Sequence, residues 1–126
     1  MLRFQIIAAI FTLAAGVIAT PMLTHTKRQN VGEATYYHPG EGACGHYNTS
    51  DQPVLALSVD IWNNGKHCLQ WVELTDPATG ITQRGQVVDE CQGCDSTHVD
   101  LSPSLFESLG APLSLGVIKP LDWKFA

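Results

Sequence analysis

The stretch that decides the reading of this chain is Val87-Val88-Asp89-Glu90-Cys91-Gln92-Gly93-Cys94, followed closely by His98-Val99-Asp100-Leu101-Ser102-Pro103. An apolar pair ends a strand, an acidic residue follows, and two cysteines two residues apart mark a tight loop. A second short apolar-acidic-apolar run then leads into a helix start. Asp89 and Asp100 therefore flank a loop that the cysteines can pin, which is a compact way to hold two carboxylates on a small scaffold.

The 126 residues allow one domain. The first part reads as targeting sequence. Arg3 precedes an apolar run from Phe4 to Ile18, and Val17 and Ala19 satisfy the small-residue rule of a signal peptidase site, so residues 1–19 are expected to be a signal peptide. The run is short for a membrane span, which needs about 20 apolar residues. Residues 20–28 end in the dibasic pair Lys27-Arg28 and read as a pro-segment, leaving residues 29–126 as the folded domain. That domain keeps only Lys66, Arg84, Lys119 and Lys124 against twelve acidic residues, a formal charge of −8. Phosphate backbones and anionic bilayers both need a basic surface, so neither nucleic acid nor a membrane is expected as a partner. A neutral polysaccharide or a basic protein is compatible. The expected product is secreted, extracellular and monomeric.

Cys44, Cys68, Cys91 and Cys94 are an even set in a small secreted domain, the pattern of a disulfide framework. Of the three possible pairings, Cys44–Cys68 with Cys91–Cys94 is favoured: the first ties the loop after the first strand to a later strand, and the second closes the loop beside Asp89. Zinc on Cys91, Cys94 and His98 or His67 is the competing reading. It needs thiolates, which an oxidising route removes. No metal and no cofactor is expected.

Short strand-like runs separated by turn residues fill the rest. Strands are expected over Gly32–Tyr37, Pro53–Ser58, Cys68–Thr75, Ile81–Asp89 and Gly116–Phe125. Asp76-Pro77-Ala78-Thr79-Gly80 reads as the turn of a hairpin. Within Ile81–Asp89, Thr82, Arg84 and Gln86 are expected to face solvent. Pro120 demotes the last strand to an edge or marks a bulge. Val59–Trp62 reads as one helical turn and Ser102–Leu109 as a helix, with Ser102 as N-cap, Pro103 at the first position and Gly110 as the stop. Residues 38–51 form a loop carrying the sequon Asn48-Thr49-Ser50, so Asn48 is a candidate for N-glycosylation. The fold class is mainly β, a small barrel with one or two short helices.

The ordered set Gly32-Glu33-Ala34-Thr35-Tyr36-Tyr37, Gly42-Ala43-Cys44-Gly45, Val54-Leu55-Ala56-Leu57-Ser58, Val87 to Cys94 and Val99-Asp100-Leu101-Ser102-Pro103 with Phe106 resembles the rare lipoprotein A-like double-psi β-barrel group. That group is similar to expansin domain 1, to fungal loosenin-type expansin-like proteins and to barwin. The resemblance implies a six-stranded double-psi β-barrel with a shallow groove, and it supports the Cys44–Cys68 bond. Carried over residue by residue, it implies that Thr35, Asp89 and Asp100 line the groove. Cys91 stands where expansins usually carry an aromatic residue, and Tyr37 where some have Thr. Tyr36 and Tyr37 point to opposite faces of a strand, so one of them is expected to reach the ligand; Tyr37 is taken as that residue.

Family-45 glycoside hydrolases use the same barrel and invert with an acid and a base. Asp100 matches the acid, but the base position of the first strand is His38, with Glu41 nearby in sequence as the alternative base. Hydrolysis is therefore not expected, and Asp100 is the one candidate for a catalytic role. The implied function is non-catalytic binding and loosening of cell-wall polysaccharide, whether chitin, cellulose or peptidoglycan. Two alternatives stand beside it: a protein-binding module such as an inhibitor of a secreted papain-type protease, using the loops of residues 41–51, and a lytic transglycosylase-like glycan cleaver. Each carboxylate also has a purely structural reading, Asp89 as an acceptor for backbone amides and Asp100 as a local cap. Trp62, Trp71 and Trp123 are expected to be packing anchors, and His46, His67 and His98 surface groups.

Overall fold

The computed structural model describes residues 29–126 and Gly16; the expected signal peptide and the pro-segment with Lys27-Arg28 lie outside the described residues apart from Gly16. Six strands are present: β1 (Asn30–Tyr36), β2 (Val54–Ser58), β3 (Trp71–Asp76), β4 (Ile81–Cys91), β5 (Val99–Leu101) and β6 (Ile118–Phe125). They close into a barrel in the order β1-β5-β2-β4-β3-β6. The β1/β5 and β2/β4 pairs are parallel and the other four are antiparallel. Two short helices, α1 (Val59–Trp62) and α2 (Pro103–Ser108), follow β2 and β5. This is the expected double-psi β-barrel.

The core is the barrel interior. Ala34, Leu55, Leu57, Val72, Leu74, Val87, Val99, Leu101 and Leu121 point inward, and Phe106, Leu105 and Leu109 of the α2 region close the cluster. β2 is buried along all five residues, which explains its uninterrupted apolar sequence. The β3/β4 hairpin forms as expected, with register Trp71↔Gln86 to Asp76↔Ile81. Its turn is held by Asp76, whose Oδ1 accepts the Ala78 amide at 2.9 Å. Ser102 caps α2 by accepting the Leu105 amide at 3.3 Å, and Gly110 takes the left-handed conformation (φ +88°) just beyond it.

Boundaries move by one to three residues, and β5 is a strand the run pattern did not mark. β1 starts at Asn30 and stops at Tyr36, and β3 starts at Trp71 because Cys68–Gln70 form the entry turn. Pro120 lies in β6, and closure leaves β6 no free edge, since it pairs with both β1 and β3. The bulge alternative holds: the β1/β6 register shifts between Gly32 and Ala34, beside Pro120.

Two disulfides are formed, Cys44–Cys68 and Cys91–Cys94. Both match the favoured pairing. Cys91, Cys94 and Asp100 bring three atoms of metal-ligating type within 4.8 Å of one another, but the two sulfurs are bonded to each other and offer no thiolate.

Candidate functional site

Strand register builds the site. Thr35 of β1 pairs with Asp100 of β5, Asp100 pairs with Ala56 of β2, and Ala56 pairs with Asp89 of β4. On β1, β5 and β2 the flanking residues belong to the core (Ala34; Val99 and Leu101; Leu55 and Leu57), so Thr35, Asp100 and Ala56 face outward, and Asp89 joins them through its pairing with Ala56. The result is a row across four neighbouring strands, about 14 Å long at the usual strand spacing. Ala56, small and buried, makes its floor.

Asp89 reaches this row only through a bulge. Leu55 pairs with Val87 and Ala56 with Asp89, so Val88 is an extra residue on β4. Without it Asp89 would stand opposite Leu57 and face the apolar interior. Alternation along β4 does not reveal the bulge, because Val87 and Val88 are both apolar and both buried.

The loop after β1 packs over the bulge. Asp89 Oδ1 accepts the amides of Ala43 and Glu90, each at 2.8 Å. The Cys44 amide donates to the Val88 carbonyl at 3.1 Å. Gly42 passes so close that a Cβ there would lie 2.4 Å from the Val88 carbonyl oxygen. The structural reading of Asp89 as an amide acceptor is thus a fact of one oxygen, and Oδ2 carries no such bond among the described residues.

Asp100 is half-buried. Its Oδ1 accepts the Thr35 hydroxyl at 3.0 Å, and Cys91 Sγ lies 3.8 Å from Oδ2. Burial, and then the charge of Asp89, hold its carboxyl above the ordinary value of 3.8, opposed by the Thr35 hydrogen bond and by His98. Tyr37 stands beside both carboxylates. Burial first, and then the charges of Asp89 and Asp100, push its phenol well above the ordinary tyrosine range. Its hydroxyl oxygen is buried and has no hydrogen-bond partner among the described residues. Tyr36, on the other face, packs edge-on against Phe106 at 5.2 Å in the core.

His98 corrects the sequence reading, which placed it among surface groups. Its side chain is 17% exposed. Because Thr35 spends its one proton on Asp100, it accepts from His98 Nε2, at 2.8 Å. Nδ1 then faces Glu33, 3.6 Å away, and Glu33 in turn lies 4.0 Å from Lys119 Nζ. Asp100, Thr35 and His98 are thus linked by hydrogen bonds, and Glu33 and Lys119 lie beyond His98 at ion-pair distance, outside the groove. The signal for this cluster was the alternation of Glu33 and Thr35 on β1, but only the β1/β5 register brings His98 beside them.

The other candidates sit elsewhere. His38 is exposed and contacts Ser50 Oγ at 3.2 Å, and Glu41 pairs with Tyr47 in the loop. Asn48 donates through Nδ2 to Gln52 Oε1 at 3.1 Å, while its Oδ1 is buried without a partner. His67 stacks on Phe125 at 4.3 Å. Trp123 is a core anchor whose indole donates to the Thr97 carbonyl at 2.9 Å, whereas Trp71 is 45% exposed on β3.

A papain inhibitor of Streptomyces mobaraensis is 38% identical to this chain over 121 residues, which is 90% of the chain and 82% of that protein. The chain belongs to the rare lipoprotein A-like double-psi β-barrel family. Expansin-like protein 1 of Dictyostelium discoideum is 35% identical over 101 residues, 71% of this chain but 35% of its own length. Among solved structures, a single-residue variant of a Clavibacter michiganensis expansin in complex with cellohexaose superposes with a TM-score of 0.70 at 28% identity, over 79% of this chain and 50% of that one. No family model matches the chain. The family brings together expansin-like proteins and a protease inhibitor on one barrel.

Proposed function

We propose that this secreted protein binds neutral cell-wall polysaccharide along the Thr35–Asp100–Ala56–Asp89 row and loosens it without cleaving it. The observation that carries this reading is the placement of Asp100 and Asp89 on one outward row, with Asp89 Oδ2 free of the amides that hold Oδ1 and the Tyr37 ring packed beside both. The free Asp89 Oδ2 and the Asp100 carboxylate accept sugar hydroxyls beside it. The shallow floor at Ala56 suits a flat polymer better than an enclosed monosaccharide. The cellohexaose complex of the related expansin supports the ligand class.

Neither first-strand candidate for a hydrolytic base is turned to Asp100. An inverting mechanism needs a base about 6.5–9.5 Å from the acid. His38 turns to Ser50 and Glu41 is tied to the loop hairpin, so neither serves Asp100. Secretion fits the two disulfides, which persist in oxidising compartments.

Pull-down on cellulose, chitin and peptidoglycan, run beside sugar-release assays, tests the proposal. Binding without release is expected. Reducing ends or anhydro-sugars that vanish in Asp100→Asn would replace it with a lytic transglycosylase.

Protease inhibition is a second reading favoured by two observations: the papain inhibitor relative, and the shape of the 41–47 loop. That loop is braced by Cys44–Cys68, by Asp89 and by the Glu41↔Tyr47 bridge, and it presents Tyr47 at 75% exposure. A rigid loop with an exposed aromatic is a fitting protein anchor. Titration of papain with the purified protein decides it: a saturable loss of activity that Tyr47→Ala weakens selects the inhibitor.

A further inference from the structure

The outer face of β1 continues past Thr35. With a period of two, Glu33 and Val31 follow on the same side. They lead into a pocket of about 250 Å³ between the 95–98 loop and the Lys119–Pro120 segment of β6. Two backbone features build it. Gly32 lets the loop lie across β1, since a Cβ there would sit 2.4 Å from the Thr97 carbonyl oxygen. The β1/β6 register steps from Gly32↔Leu121 to Ala34↔Ile118, so both Lys119 and Pro120 stand opposite Glu33. The loop is fixed there by Thr97, whose hydroxyl donates to the Val31 carbonyl at 2.7 Å and whose carbonyl accepts the Trp123 indole.

The pocket walls differ in chemistry. Val31, 64% exposed, and Pro120 form an apolar side. Glu33 and Lys119 supply an acceptor and a donor, and at 4.0 Å they are too far apart to satisfy one another by a hydrogen bond. His98 is the partition: Nε2 serves Thr35 in the groove, and Nδ1 faces Glu33 in the pocket. A small methyl-bearing secondary amide matches this set. Its methyl lies on Val31 and Pro120, its N–H donates to the Glu33 carboxylate and its carbonyl accepts from Lys119 Nζ.

We propose that this pocket is a subsite for the acetamido group of an N-acetylhexosamine residue whose glycan chain runs on into the Thr35–Asp100 groove. The inference rests on the glycan reading of that groove and names the polymer class, acetamido-bearing chains of the chitin or peptidoglycan kind over cellulose. A glucose hydroxyl offers neither the methyl nor the amide and leaves the apolar wall uncovered.

The test is an amide-resolved NMR titration of the full chain with N-acetylglucosamine hexamer and with cellohexaose. It is repeated in Val31→Ser and Lys119→Ala, both exposed positions whose substitution leaves the barrel intact. The acetylated hexamer is expected to shift the amides of Gly32, Glu33 and His98 and to bind about fivefold more tightly than cellohexaose, the scale of one added hydrogen bond. Each variant is expected to remove that advantage and leave cellohexaose affinity unchanged. Equal affinities with no shift at Gly32, Glu33 and His98 overturn the subsite while the groove reading stands. Shifts there without any at Asp89 and Asp100 support the subsite and overturn the groove. Silence from both hexamers overturns both.

Discussion

Asp89 and Asp100 illustrate how one residue type acquires two roles on one surface. Asp89 spends Oδ1 on the amides of Ala43 and Glu90, which fixes its orientation and leaves Oδ2 for a ligand. Asp100 is tied through Thr35 and held high by burial. A carboxyl that titrates higher folded than unfolded makes the folded chain bind protons more tightly. Its stability is then greatest below the unfolded value, falls as pH rises through the window from about 3.8 up to the raised folded value, and stays lower above it. Asp100→Asn is therefore expected to raise stability slightly at pH 7, by under about 1 kcal/mol after solvent screening, seen as a small rise in melting temperature that vanishes below the unfolded value. Calorimetry across pH reads this, and an unchanged or lower melting temperature at pH 7 contradicts it. Tyr37→Phe removes a buried hydroxyl that has no partner among the described residues. Stability should hold or rise by up to about 1 kcal/mol in urea melts. A clear destabilisation would show that the hydroxyl has a partner in solution. The residue types at this site were readable from the chain, but His98 was not: a single histidine carries no pattern, and its partners lie 63 and 65 positions away along the chain.

The decisive element is β4. Its hairpin with β3 was legible because turn chemistry and alternation both declare themselves locally. The bulge at Val88 was not, since two adjacent valines satisfy either face. Yet this one extra residue moves Asp89 from the interior to the groove. Gly42 is its counterpart in the loop after β1. In Gly42→Ala the added Cβ meets a backbone carbonyl, which cannot rotate away, so the loop must lift from β4. The expected outcome is a loss of about 1–3 kcal/mol together with weaker binding at the groove, because the Ala43 amide leaves Asp89. Hydrogen exchange at Ala43 and Cys44 measures the lifting; protection equal to wild type would refute it. The α2 helix was legible for the opposite reason, its cap Ser102, Pro103 and stop Gly110 all being local.

At the scale of the molecule, closure and crosslinks share the burden of a small core. About 100 residues bury limited apolar surface, and such domains commonly add disulfides. Cys44–Cys68 joins residues 24 apart and Cys91–Cys94 residues 3 apart. Loop entropy then predicts a cost of about 3 kcal/mol for Cys44→Ser/Cys68→Ser and about 2 kcal/mol for Cys91→Ser/Cys94→Ser. Denaturant midpoints of the two double variants rank them, and a reversed order would show that strain, not loop length, dominates. The sequence by itself determined the barrel, its helices and its excess of negative charge, because apolar period, turn residues and charge balance act over a few neighbours. Only the tertiary structure decided which side chains meet: Thr35 with Asp100 and His98, Asp89 with Ala43, Glu33 with Lys119. Those meetings depend on register between strands distant in sequence and on one bulge, and register is set by the packing of the whole barrel.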